Sequence, residues 1–181
     1  MPHTVSNNVV VKLLCLTLHG LAAVMAKLPG PTNVRINSVN MGLLLEWTAP
    51  ENQTENITYR AEYRPIIQGY KVVCLNTTAH SCDFTPQLTA LGVYRFQVRA
   101  ERDGYSSPWV NTEEFVMDEH TNIGPPNVTL VATGTKIDVN IQDPVFRISK
   151  FRDIYNWANF SITYWKVGQE EKVCWPFYIW D

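Results

Sequence analysis

The sequence predicts an all-β protein: an immunoglobulin-like β-sandwich module followed by an incomplete second one. Two observations lead to this prediction. In several short runs, apolar residues recur at every second position, as they do in strands that bury one face, and turn-forming residues separate the runs. In addition, no stretch of useful length follows the helical period of about 3.6 residues.

Composition excludes several classes of protein. Of the 181 residues, 45% are hydrophobic, 12% aromatic and 18% charged, which is too much apolar surface for a disordered chain. The chain has 15 Lys and Arg against 17 Asp and Glu, so it lacks the basic surplus of a nucleic-acid-binding protein. Four Cys are too few for a small scaffold held together by disulfides.

Residues 1–26 have the features of a secretory signal peptide. An apolar stretch ends in small residues at Ala26, and Pro29 then prevents a helix from continuing. A buried N-terminal helix is the alternative, and Lys12 inside the apolar stretch is unusual for a signal. No later stretch has the roughly 18 apolar residues of a membrane span, so we expect a secreted chain.

Cysteines and sequons fit an oxidising compartment. Cleavage after Ala26 removes Cys15, and we predict a disulfide between Cys74 and Cys82 that leaves Cys174 unpaired. Two free thiols are the alternative. Five N-x-S/T sequons indicate N-glycosylation. The predicted glycosylation sites are Asn52, Asn56, Asn76, Asn127 and Asn159.

Residues 28–118 form the predicted first module, close to the ~100 residues of an immunoglobulin-like sandwich. Turn-forming residues at 49–52, 64–65 and 103–104 separate its strands. The predicted inward positions are Leu43, Leu45 and Trp47; Tyr59, Ala61 and Tyr63; and Tyr94, Phe96, Val98 and Ala100.

A proline-stiffened linker at 119–125 precedes the predicted second module, residues 126–181. This segment is about half the length of a sandwich, so it leaves an open core and unpaired edges. We therefore predict that the first module folds alone and the second does not. The predicted apolar strand positions are Val128 and Leu130; Ile137, Val139 and Ile141; and Phe160, Ile162 and Tyr164.

Several stretches between residues 33 and 166 are more specific than a generic sandwich. They are NVRINSVN at 33–40, CLNTT at 74–78, CDF at 82–84, VRAE at 98–101, IGPP at 123–126, YN at 155–156 and YWK at 164–166. Through them the chain resembles the ectodomains of class II cytokine receptors. The resemblance implies two tandem fibronectin type III modules, and it weakens after Lys166 and fails at Val173.

Three aromatic residues have implied structural roles. Trp47 is an inward strand residue, and Leu88 and Tyr94 have the spacing of a tyrosine corner, in which the hydroxyl bonds to the chain upstream. The sequence departs from the family pattern at Ala90 and Gly92. Trp109, in a degenerate tryptophan-serine element at 106–109, is either stacked on Arg95 or Arg99 or is a plain buried tryptophan.

The resemblance also implies a binding site and partners. Receptors of this family hold a helical cytokine at the elbow between modules, where large side chains on loops are suitable anchors. The implied ligand is an interleukin-10-like cytokine or an interferon, shared with a second, ligand-specific receptor chain. The candidate ligand-binding residues are Tyr63, Ile66, Ile67, Tyr70, Leu91, Gly92, Phe146 and Phe151. Leu91 and Ser149 stand where the resembled chains carry aromatics, which affects the choice of ligand.

The predicted function is therefore cytokine binding, and a generic adhesion or matrix module is the alternative. As written, the chain would be a soluble, truncated receptor without a signalling tail, or part of a membrane-anchored chain that continues beyond Asp181. We predict no enzyme activity, no cofactor and no metal site. The sequence contains no C-x-x-C and no phosphate-binding glycine loop, and neither His80 nor His120 has an acidic partner at a suggestive spacing.

Overall fold

The computed structural model of the chain describes residues 27–51, 56–165, 168 and 173–177. The predicted signal peptide, Asn52 and the side chain of Cys174 lie outside this description. The strands of the first module are β1 (Thr32–Val39), β2 (Gly42–Thr48), β3 (Thr58–Pro65), β4 (Lys71–Thr77), β5 (Ser81–Asp83), β6 (Val93–Arg102), β7 (Tyr105–Ser106), β8 (Val110–Asn111) and β9 (Phe115–Val116). A 3-10 turn at Thr85–Gln87 follows β5. The remaining elements are α1 (Met117–His120), β10 (Asn127–Thr133), β11 (Lys136–Gln142), α2 (Phe151–Ile154), β12 (Phe160–Tyr164) and β13 (Val173–Phe177).

Two antiparallel sheets build the first module, which confirms the predicted sandwich. One sheet has the order β1-β2-β5, and the other has the order β4-β3-β6, with β7, β8 and β9 each paired to β6. Every residue predicted to face inward on β2, β3 and β6 is buried between these sheets. Aromatic contacts fill the core, for example Phe84 against Phe96 with ring centroids 4.9 Å apart.

Strand order assigns each turn to one end of the sandwich. Because β1 and β2, β3 and β4, and β3 and β6 are antiparallel, the turns at 40–41, 66–70 and 84–92 lie at one end, where the chain also enters the linker. We call this the linker end. The opposite, distal end carries the turns at 78–80 and 103–104.

Strict alternation fails on the outer face of the β3–β6 pair. Glu62 and Gln97 occupy outward positions but are buried, and they bond to each other across the strands. Gln97 Nε2 donates to Glu62 Oε2 over 2.6 Å, and Arg60 Nη2 lies 2.7 Å from Glu62 Oε1. A buried carboxylate is tolerated when it is paired and hydrogen-bonded in this way.

Three local features of the first module match the expectations. The disulfide between Cys74 and Cys82 is present and joins β4 of one sheet to β5 of the other. Tyr94 Oη accepts a hydrogen bond from Thr89 N over 2.8 Å, as in a tyrosine corner. The half-buried Trp109 stacks on Arg99, whose Cζ lies 4.5 Å from the ring centroid.

The described part of the second module contains two separate hairpins. Strand β10 pairs with β11, and β12 pairs with β13, each in a two-stranded sheet. Val128, Leu130 and Ala132 lie opposite Ile141, Val139 and Ile137, so one face of the first hairpin is apolar. Most of this face is exposed. The predicted module boundaries, and the failure of the second module to fold alone, stay predictions.

Candidate functional site

The turn between β1 and β2 is the point where the first module meets the linker. Both of its central residues have positive φ, 49° at Asn40 and 63° at Met41, as a two-residue hairpin turn requires. Asn tolerates this conformation, but Met does so at a cost in free energy. Full burial of the Met41 side chain offsets that cost.

The linker fixes this turn by hydrogen bonds from several groups. Asn40 N donates to Asn122 O over 2.8 Å, and Gly124 N donates to Asn40 Oδ1 over 2.7 Å. Thr121 Oγ1 accepts from Met41 N over 3.1 Å and lies 2.9 Å from Ser38 Oγ. The contacts of Thr121 thereby pair two groups of the buried Ser38 and Met41 that would otherwise lack a partner.

The loop between β11 and β12 holds the same turn from the other side. Arg147 N donates to Asn40 O over 2.9 Å, and Arg147 Nη2 lies 3.0 Å from Asp83 Oδ2 at the end of β5. The arginine side chain passes over Gly42, where an added Cβ would lie 2.6 Å from Arg147 Cδ. Gly42 therefore makes room for this contact.

Asp83 is held as a carboxylate at this junction. Its burial alone would raise the pKa of Asp83, but hydrogen bonds from Thr85 and the charge of Arg147 outweigh burial and lower the pKa below its usual value. Thr85 N donates to Asp83 Oδ1 over 2.9 Å. The ion pair with Arg147 is thus formed at neutral pH.

An aromatic cluster stabilises the loop from within. Phe146, Phe151 and Tyr155 are buried against one another, with ring centroids 5.3 to 5.8 Å apart. The Tyr155 hydroxyl donates to Asp118 O in α1. Burial, and secondarily the charge of Asp118, raise the pKa of Tyr155, so the hydroxyl stays protonated and able to donate.

The predicted ligand-binding residues divide into two groups. Four are covered by their own chain: Tyr63 lies in β3 and donates to Gln87 O over 3.4 Å, and Phe146 and Phe151 belong to the aromatic cluster. The fourth, Gly92, is half-buried and lies against the Tyr94 ring, and an added Cβ there would be 2.1 Å from Tyr94 Oη. These residues support the surface from beneath.

The other four are exposed at turns of the linker end. Ile66, Ile67 and Tyr70 lie in the turn between β3 and β4, and Leu91 lies in the loop before β6. Ile67 is 90% exposed and Leu91 is 68% exposed. Tyr70 is oriented by Arg64, whose Cζ lies 5.2 Å from the ring centroid, and by a 3.3 Å hydrogen bond from its hydroxyl to Asn111 Oδ1.

The sequence interpretation missed Val145, which is 86% exposed beside the buried Phe146. It selected large aromatic residues in this loop, although Phe is among the residue types most often buried. Arg147 and Asn40 were also missed. The two positive-φ residues of the turn leave no local signal of a contact with a loop more than a hundred residues later.

None of the helices within residues 27–51, 56–165, 168 and 173–177 has the length and apolar character that crossing a bilayer requires. The same ranges contain no group of three His, Cys, Asp or Glu side chains placed to share a metal ion.

A sandwich with a tyrosine corner, joined by a linker to a second β-module, is the architecture of tandem fibronectin type III receptor ectodomains. Comparison with known proteins agrees with this class. The family model described as tissue factor matches residues 8–109, and the model for the fibronectin type III domain of the interferon-alpha/beta receptor matches residues 121–174. The chain belongs to the class II cytokine receptor family.

Individual relatives are receptor chains. Interleukin-10 receptor subunit beta of Homo sapiens is 31% identical over 159 residues, covering 84% of this chain and 47% of the relative. Interferon alpha/beta receptor 1a of Oncorhynchus mykiss is 36% identical over 131 residues, covering 67% of this chain and 32% of the relative. The chain thus spans about half the length of such relatives, or less.

A solved structure with the same architecture is the selenomethionine-substituted chicken interferon gamma receptor alpha chain. It superposes with a TM-score of 0.68 at 26% sequence identity, covering 83% of this chain and 76% of that chain. The likeness therefore extends over most of both chains.

Proposed function

We propose that this chain is the cytokine-binding part of a receptor similar to interleukin-10 receptor subunit beta. Its ligand would be a helical class II cytokine, interleukin-10-like or interferon, which it binds as a shared low-affinity chain beside a ligand-specific second chain. The names of the relatives support this proposal. The structural observation that carries it is the set of exposed apolar side chains at the linker end.

Ile66, Ile67 and Leu91 would be the apolar anchors of this contact. Exposed apolar residues become valuable at an interface when a partner removes them from water, and a few such residues supply most of the binding energy. Tyr70 adds an amphipathic ring already oriented by Arg64. Val145 adds an apolar side chain from the second module, on a loop fixed to the first module through Arg147.

The three buried candidates and the half-buried Gly92 contribute indirectly to binding in this proposal. Tyr63 and Gly92 support the turns that carry Ile67 and Leu91, and Phe146 and Phe151 hold the loop that carries Val145. Pre-organised turns lose little conformational entropy on binding. The surface then suits a ligand whose own shape is fixed, such as a helical bundle.

The proposal places the chain outside the cell and assigns it no enzyme activity. The disulfide between Cys74 and Cys82 supports an oxidising compartment, because such bonds are rare in the cytosol. The relatives are receptors, and ligand binding by a receptor chain requires no chemical step.

Binding of the secreted chain to immobilised complexes of an interleukin-10-like cytokine and its ligand-specific chain tests the proposal. We expect Leu91→Ala and Ile67→Ala each to weaken binding several-fold. Leu75→Ala is the matched control, since Leu75 is an exposed leucine on β4, away from the turns of the linker end. Equal losses in all three variants would contradict the proposed site. Binding to matrix proteins but to none of the cytokine complexes would favour the adhesion alternative.

A further inference from the structure

A cleft of about 420 Å³ opens at the distal end of the first module, away from the linker. Its floor is a row of side chains across three adjacent strands: Thr58 on β3, Glu101 on β6 and Ser106 on β7, which are register partners. Because β6 buries Ala100 in the core, the neighbouring Glu101 belongs to the outer face of the sheet. The cleft therefore faces away from the core.

Two predicted glycosylation sites line this same cleft. Asn56 lies just before β3 and Asn76 lies near the end of β4, and both are exposed. Both have positive φ, 56° and 53° respectively, which Asn tolerates better than most residues. A sugar attached to either side chain would begin within the cleft.

The remaining lining residues have the chemistry of a carbohydrate site. Tyr105 is 61% exposed and offers a ring against which the apolar face of a pyranose could pack. Arg102 supplies donors and Asp103 supplies acceptors, while Thr58 and Ser106 supply hydroxyls. These groups bond to water when the cleft is empty, and the hydroxyls of a bound sugar can replace that water.

We propose that this cleft holds the chain's own N-glycan. The glycan is attached to Asn76, and its first sugars pack on Tyr105. The site is distinct from the linker end, so it lies outside the proposed cytokine-binding surface. The glycan would cover an exposed aromatic side chain and the turn between β6 and β7.

Asn76 is the better attachment point because its backbone is fixed. Thr77 pairs with Tyr59 of β3, and Cys74 is tied to Cys82 by the disulfide. A sugar on Asn76 therefore starts from a defined position relative to Tyr105, so little further entropy is lost when its first sugars are ordered.

Side-chain labelling of Tyr105 in the full glycosylated chain tests the proposal. Glycopeptide mass spectrometry first establishes that Asn76 carries a glycan. Hydroxyl-radical footprinting then measures the labelling rate of Tyr105, with the exposed Tyr164 as an internal control. We expect Tyr105 to be labelled several-fold faster in Asn76→Gln than in the unaltered chain, while Tyr164 is unchanged.

Two further variants make the result specific. Thr78→Ala destroys the sequon without altering Asn76 and should increase Tyr105 labelling to the same extent. Asn159→Gln removes an exposed sequon of the second module and should leave Tyr105 protected. An unmodified Asn76, unchanged labelling after loss of its sequon, or exposure of Tyr105 by Asn56→Gln alone would each overturn the proposal.

Discussion

Arg147 and Asp83 form an ion pair, with Nη2 and Oδ2 3.0 Å apart, that joins a loop of the second module to the first module. Both side chains are partly exposed, so this pair alone adds little to stability. The pair matters because of where it lies. Arg147 N also donates a hydrogen bond to Asn40 O, in the turn that the linker contacts. The loop, the linker and the turn are thereby held as one unit.

Replacing Arg147 by Ala should loosen this loop with little loss of overall stability. We expect the free energy of unfolding to fall by less than about 1 kcal/mol, as is usual for exposed ion pairs. Amide hydrogen exchange over residues 143–158 should become several-fold faster. Binding of a cytokine complex should weaken, because Val145 would no longer be held in place.

Arg35→Ala is the matched control for that experiment. Arg35 forms a similar exposed ion pair with Glu46, 2.9 Å long, on the sheet of β1 and β2. It should leave both the exchange of residues 143–158 and cytokine binding unchanged. Equal exchange of this loop in the unaltered chain and in Arg147→Ala would show that the ion pair does not hold it.

The lowered pKa of Asp83 predicts an acid-sensitive contribution to stability. A carboxyl group whose pKa is lower in the folded state stabilises the fold at pH values above its unfolded pKa, here 3.8. That contribution is lost as the pH falls through the folded pKa. Thermal unfolding of the unaltered chain and of Asp83→Asn should therefore differ at neutral pH and converge below pH 3.8. A difference that is independent of pH would argue against a stabilising carboxylate at this position.

Three strands of the first module, β2, β3 and β6, were predictable because each one carries its own signal. Burial of one face imposes a period of two on β2, β3 and β6, and a run such as Tyr94 to Ala100 reveals this without reference to any other element. Glu62 and Gln97 do not follow this period of two, because they are buried at outward positions. They bond to each other across two strands, and a local period does not record such a pairing.

The junction between the modules was not predictable for the same reason. The contact between Arg147 and Asp83 joins residues 64 positions apart, and nothing near either residue marks it. In the loop around Arg147, the large side chains of Phe146 and Phe151 led to the prediction that these residues contact a ligand. The structure uses these aromatic side chains to stabilise the loop and leaves the smaller Val145 exposed.

The tyrosine corner makes a testable contribution to stability. Tyr94→Phe removes the acceptor of the 2.8 Å hydrogen bond from Thr89 N and leaves that donor without its partner. Because Thr89 is exposed and its N–H can bond to water instead, we expect the free energy of unfolding to fall by about 0.5–1.5 kcal/mol in chemical denaturation. Tyr63→Phe is the control, because its hydroxyl makes only a 3.4 Å bond to Gln87 O and should cost less. A larger loss for Tyr63→Phe would contradict this assignment.

Any side chain at Gly92 should destabilise the fold, because it would clash with Tyr94. An added Cβ would lie 2.1 Å from Oη and 2.3 Å from Cζ of Tyr94, so the buried ring would have to move. Overpacking of this kind costs about 1–3 kcal/mol, which we expect for Gly92→Ala in chemical denaturation. Gly69→Ala is the matched control, since no atom lies within 4 Å of its added Cβ, and its stability should stay the same or rise by up to about 1 kcal/mol. Combining Gly92→Ala with Tyr94→Phe should not restore stability, because Cζ remains too close. Recovery in that double variant would instead identify the hydroxyl alone as the obstacle.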